Sequence, residues 1–220
     1  MGKPGVLELK LEVLSILQSI QFYSNTELNK PTLNRMMNDY LNTVIRDFKQ
    51  YQNLGKKTLD QLNEHDLFWQ YNGASNSIAM IVNHLHGNMK SRWTDFLFSD
   101  GEKPGRNRDL EFGNQLKTDK EVLNKWKEGW HFVFDALSQI NKDNFNTKVY
   151  IRNQEHSIVQ AINRQVAHYA YHVGQLVYLG RMIKGEDWKN LSIAHGKSEE
   201  FNQMKFSKGT HGGQFTDDLK

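Results

Sequence analysis

The stretch SIVQAINRQVAHYAYHVGQLVYLGRMIKG, residues 157–185, opens on a serine, closes on a glycine and holds no proline between them. A serine hydroxyl accepts from one of the backbone N–H groups that a helix's first turn leaves unpaired, and glycine adopts the backbone turn that ends one. The spacing predicts a helix from Ser157 to about Lys184 with Gly185 as its C-cap. Ala161, Gln165, His168, His172, Gln175, Leu176 and Leu179 share one face of it, a mixture of apolar and polar groups.

Three further helices are expected upstream. From about 37 to 62, Leu41, Val44, Ile45, Phe48, Leu54 and Leu62 recur at helical spacing, and the segment from Asn63 to Gly73 closes that helix. A second runs from Ser75, with Ser77 as another cap, to about Phe98, with Ile78, Val82, Leu85, Met89 and Phe96 as its apolar stripe. SDGEKPGRNRD, residues 99–109, reads as a long loop. A third starts at Thr118, where T-D-K-E is a capping-box pattern, and ends near Ile140, with Val122, Trp126, Phe132 or Val133, and Leu137 on its core side. TKVYIRNQEHS, residues 147–157, weakly signals a short β-hairpin before the last helix. The fold class expected is all-α, a four-helix bundle.

The domain reading is an N-terminal extension over residues 1–36, a bundle over 37–190 and a polar, glycine-containing tail over 191–220, partly ordered at best. In the extension, Leu7, Leu9, Leu11 and Val13 alternate as in a strand, the pattern turns helical towards Ile20, and residues 24–34 read as a linker.

Composition narrows the function. The 28 basic and 25 acidic residues leave a formal charge of +3 without a basic tract, so nucleic acid is not an expected partner. The run VLELKLEVLSILQSI is broken by Glu8, Lys10 and Glu12, which argues against a signal peptide or membrane span and for a cytoplasmic protein. The chain has no cysteine, so any metal must be held by His, Asp or Glu.

His168 and His172, at i and i+4, project about 40° apart around their helix axis, which lets two imidazoles reach one ion at about 2.0–2.1 Å. The alternative is a pair of packed histidines bonded to neighbours. A third ligand would come from VNHLHGNMKSRW, residues 82–93, where His84 and His86 point about 160° apart and cannot serve one ion together. His84 shares its side with Ile81 and Asn88. His86 lies with Asn83 and Lys90, which reads as a solvated surface, so the helical wheel favours His84 only slightly. Tyr169 and Tyr171 point away from the ligand face and read as core packing, whereas His65, His131, His156, His195 and His211 have no spaced partner. No H-E-x-x-H, di-iron carboxylate set, G-x-S-x-G, Walker A or Rossmann fingerprint is present.

Taken in order, NSIAMIVNHLHGNMKSRWTDFL, DGEKPGRNRDLEF, INRQVAHYAYHVGQLVYLGRMI and HGKSEEFN resemble the DinB/YfiT-like superfamily of four-helix bundles, and more closely a subfamily of unknown function within it. The resemblance covers roughly residues 37–206 and leaves the extension outside. It implies a divalent metal, Zn or Ni foremost, on His84, His168 and His172, with His86 outside the pattern.

Characterised relatives in that superfamily, which include bacillithiol transferases, imply a metal-dependent thiol S-transferase acting with a low-molecular-weight thiol as co-substrate. Metal-dependent hydrolysis and a non-catalytic metal-binding bundle are the other readings. Lys90, Arg92, Arg106 and Arg108 are the candidates to meet the thiol's carboxylates. Trp93, Asp95, Asn163 and Arg164 lie in the resembling motifs with structural or supporting roles. No general base is assigned, and a homodimer is implied by resemblance.

Overall fold

A computed structural model describes residues 30–213, so the readings for residues 1–29 lie outside the described residues. The chain divides between Tyr40 and Leu41 into two units. Of the first, residues 30–40 are helical and carry an exposed Arg35–Asp39 ion pair. Every contact below lies in the second.

The described residues are mostly helical, with one small antiparallel sheet. The long helices are α1 (Lys30–Leu59), α3 (Ile78–Trp93), α5 (Asp119–Ser138) and α6 (Ile158–Lys184). Short helices α2 (Glu64–Phe68) and α4 (Arg108–Glu111) lie in the connections, and a β-hairpin, β1 (Lys148–Ile151) with β2 (Gln154–Ser157), precedes α6. A helix α7 (Ser198–Ser207) follows it. Lys30–Asn34 are helical where a linker was expected, and α7 is an ordered element within the polar tail.

The caps expected at Ser77, Thr118, Ser157 and Gly185 are in place, and α3 begins after Ser77 rather than at Ser75. The Ser77 side chain accepts from the Met80 amide, and Thr118 with Glu121, and Ser157 with Gln160, form reciprocal capping boxes. Gly185, at φ 54°, ends α6. Helix α3 stops at Trp93 rather than near Phe98, because Thr94 is extended and Asp95 sits at φ 49°.

One aromatic ring from each long helix meets in the core: Phe48 from α1, Trp93 from α3, Trp130 from α5 and Tyr169 from α6. Phe48 lies 5.9 Å from Trp93, 6.1 Å from Trp130 and 5.7 Å from Tyr169 between ring centroids, and Trp130 lies 5.8 Å from Tyr169. Offset and edge-on rings at such separations add to the burial of large apolar area. Trp93 Nε1–H donates to the Tyr169 hydroxyl at 2.8 Å and that hydroxyl donates to Asn88 Oδ1 at 3.1 Å, whereas Trp130 Nε1 is buried with no partner among the described residues. Burial accordingly pushes the Tyr169 phenol well above its ordinary pKa. Gly55 lets α1 approach α5, because a Cβ there would collide with the Trp126 ring. This core fixes α3 against α6, and with them the histidines one helical step to its side.

Candidate metal centre

His84 of α3 and His168 and His172 of α6 come together: one ring nitrogen from each lies within 4.8 Å of the others. His168 Nε2 is 3.4 Å from His84 Nε2 and 3.1 Å from His172 Nε2. Nitrogens bound to one tetrahedral ion at 2.0–2.1 Å stand about 3.3 Å apart, so the two separations from His168 match that edge length. The cluster is compatible with a metal site.

The outer nitrogens decide where the lone pairs point. His84 Nδ1 is 2.8 Å from Glu111 Oε2, and His172 Nδ1 is 2.8 Å from Gln175 Oε1. Both partners are acceptors, so each Nδ1 carries a proton and each Nε2 faces the cluster. His168 Nδ1 is buried with no partner among the described residues. Burial, then the neighbouring rings of His172 and His84, then Arg164 and Arg106, push the His168 imidazolium down to about 3. His172 is also lowered, by burial first and then by His84 and Arg108, against a raising hydrogen bond from Gln175. Both rings are thus neutral donors at pH 7, the form a cation requires.

Glu111 was not anticipated. It sits in the DLEF segment, 27 residues along the chain from His84, and only the tertiary fold joins them. Arg106 grips the same carboxylate through Nε at 2.7 Å and Nη2 at 2.9 Å, and Asn83 Nδ2 donates to the Glu111 carbonyl. Burial alone would raise the Glu111 pKa, but the hydrogen bonds from His84 and Arg106 lower it. Gly87 makes room, since a Cβ there would strike the Glu111 carboxylate. Phe112 stacks on the His84 ring at 4.4 Å and 24°.

The cluster opens on a cavity of about 450 Å³ whose lining, among the described residues, includes Arg92, Arg106, Arg108, Arg152 and Arg164 but no carboxylate. Arg92 is buried, donating to the Gly101 carbonyl and, at 2.9 Å, to Glu102. Arg106 and Arg152 also reach Glu102, each at 3.3 Å. Lys90 is exposed and does not line the cavity.

Two readings of the flanking residues need correction. His86 is not solvated: it is 6% exposed, with Nε2 2.9 Å from Glu128 and its ring edge-on to Phe132. Its burial against α5 explains why periodicity separated it poorly from His84. Tyr171 is not core, being 63% exposed, and it lines the cavity with its ring 4.9 Å from His172. Tyr169 alone packs inward.

Residues 35–197 match the model of a family described as protein of unknown function, DUF1572. The chain belongs to that family. DUF1572 is a DinB-like family, and its matched span carries all three clustered histidines, Glu111 and the five cavity arginines. No curated protein matches the chain significantly.

Proposed function

We propose that this DUF1572 chain is a DinB/YfiT-type four-helix bundle that acts as a divalent-metal-dependent thiol S-transferase, with His84, His168 and His172 as ligands and Zn or Ni as the ion. The observation that carries the reading is the convergence of three imidazoles on a cavity lined, among the described residues, by arginines without a carboxylate. A divalent ion held by three imidazoles keeps an open position and supplies Lewis acidity that lowers the pKa of a thiol placed against it.

The chain's own groups do the rest. Glu111 and Gln175 hold the His84 and His172 rings in the tautomer that presents Nε2. The arginine wall draws in an anionic thiol and orients it by its carboxylates. The chain has no cysteine, which fits a sulfur supplied by a small co-substrate such as bacillithiol. Its thiolate forms an S–C bond to the electrophile as the leaving group departs with the bonding pair, and the thiol proton goes to solvent. Hydrolysis is less well supported, because the nearest carboxylate, Glu111, is held by Arg106 and His84 and is not free to serve as a base.

Elemental analysis of tag-free protein tests the first half: about one ion per chain in the parent and in His86→Ala, and none in His84→Ala or His168→Ala. Turnover of bacillithiol with 1-chloro-2,4-dinitrobenzene, dependent on the metal and lost in His168→Ala, tests the second. Stoichiometric metal without turnover for a panel of thiols and electrophiles would leave a non-catalytic binding protein.

A further inference from the structure

The five cavity arginines fall into two groups. Arg92 and Arg106 are buried, with side chains 6% and 5% exposed, and they are committed to Glu102 and Glu111. Arg108, Arg152 and Arg164 are exposed and come from three elements: the start of α4, the tip of the hairpin and α6 one turn before His168. Among the described residues, Arg108 makes a cation–π contact with Phe112, its guanidinium carbon 5.2 Å from the ring centroid, and no side-chain hydrogen bond or ion pair. Arg152, 62% exposed, donates Nε–H to Glu102, and its terminal nitrogens have no hydrogen-bond partner among the described residues. Arg164 has no side-chain hydrogen bond or ion pair among the described residues.

Three carboxylates, Glu102, Glu111 and the neighbouring Asp100, against five guanidiniums leave an excess of positive charge beside the histidines. Such an excess is unfavourable for folding, since like charges sharing a concave, poorly solvated wall repel. It lowers free energy only when an anion enters. Arg152 is moreover aimed deliberately: the Asp100 carboxylate accepts from the Arg152 amide at 2.8 Å, the Asn153 amide at 2.7 Å and the Glu102 amide at 2.7 Å, tying the hairpin tip to the loop beside the cavity.

We infer that Arg108, Arg152 and Arg164 form the recognition ring of the histidine cavity and select a small oxyanion carrying at least two negative charges. The volume of about 450 Å³ falls among small-molecule sites. A dicarboxylate and a phosphate monoester share the chemistry that a guanidinium fork reads. The inference rests on taking this cavity as the ligand site, but it requires neither metal nor thiol.

The test is an NMR titration of the metal-free full-length protein at low salt with succinate, inorganic phosphate and acetate. Succinate or phosphate should saturate and perturb the three arginine Nε–H signals, acetate should bind far more weakly, and the tighter of the two dianions names the class. Arg164→Gln and Arg108→Gln, which break no ion pair in the fold, should each weaken dianion binding about tenfold. Arg181→Gln, on the same helix but away from the cavity, should not. Equal binding of acetate and succinate, or equal effects of Arg164→Gln and Arg181→Gln, would overturn the inference. Because no metal is present, loss of metal binding or of transferase turnover leaves this result standing, and the reverse also holds.

Discussion

Replacing Glu111 by glutamine removes the anionic acceptor that His84 Nδ1–H and the Arg106 fork share. An amide can still accept one hydrogen bond, but it cannot balance the buried guanidinium or make the ring more basic. Metal affinity should therefore fall about 10–100-fold in Glu111→Gln, read by competition with a chromophoric chelator. Unchanged affinity would mean that stacking on Phe112 alone orients His84. A second residue-scale expectation concerns pH. The ordinary value of the His168 ring is 6.5, and in the fold it is pushed down to about 3. Between these values the unfolded chain binds the extra proton, so the stability owed to the neutral ring is complete above about 6.5 and drains away as pH falls towards 3. Glu111, lowered from its ordinary 4.5, adds a loss of the same sign that begins only below that value. In urea titrations of metal-free protein, His168→Gln should flatten the decline between those two ordinary values, and an unaltered slope would refute the neutral, buried reading. The histidine pair was legible in the sequence because i and i+4 are fixed by helix geometry. Glu111 was not, because nothing local marks which of 25 acidic residues a fold will carry to a histidine.

Among the elements, those with strong local chemistry could be read directly. Ser77, Thr118, Ser157 and Gly185 sit where the caps were expected, since a cap satisfies backbone groups within its own turn. Thr118→Ala, which undoes the box with Glu121, should cost about 1 kcal/mol in chemical denaturation without disturbing metal binding. The end of α3 was misjudged because the apolar stripe continues to Phe96 while the backbone breaks at Thr94 and Asp95. The hairpin's turn, with Arg152 at φ 55° and Asn153 at φ 61°, has the left-handed pair that a two-residue connection demands, yet arginine is a poor marker for it. Asp100 supplies what local propensity lacks. In Asp100→Ala the Arg152 and Asn153 amides lose their acceptor, so their hydrogen exchange should accelerate while the α6 amides keep their protection. Equal acceleration in α6 would show that Asp100 supports the whole fold and not the hairpin tip.

For the whole molecule, joining α3 to α6 through three imidazoles should make folding and metal binding one linked equilibrium. Zinc at a free concentration a hundredfold above its Kd stabilises a folded chain by about 2.7 kcal/mol, worth about 5–10 °C in Tm at this size. The readout must be the increment and not the absolute Tm, because His86→Ala also lowers stability by deleting a buried ring held by Glu128 and Phe132. His86→Ala should start lower yet gain the full increment on adding zinc. His84→Ala and His168→Ala should gain none, since two imidazoles bind zinc too weakly to compete with buffer at that concentration. An increment surviving in His168→Ala would assign the bound zinc to other histidines, His195 and His211 of the C-terminal segment first, and would reduce HYAYH to a packed pair.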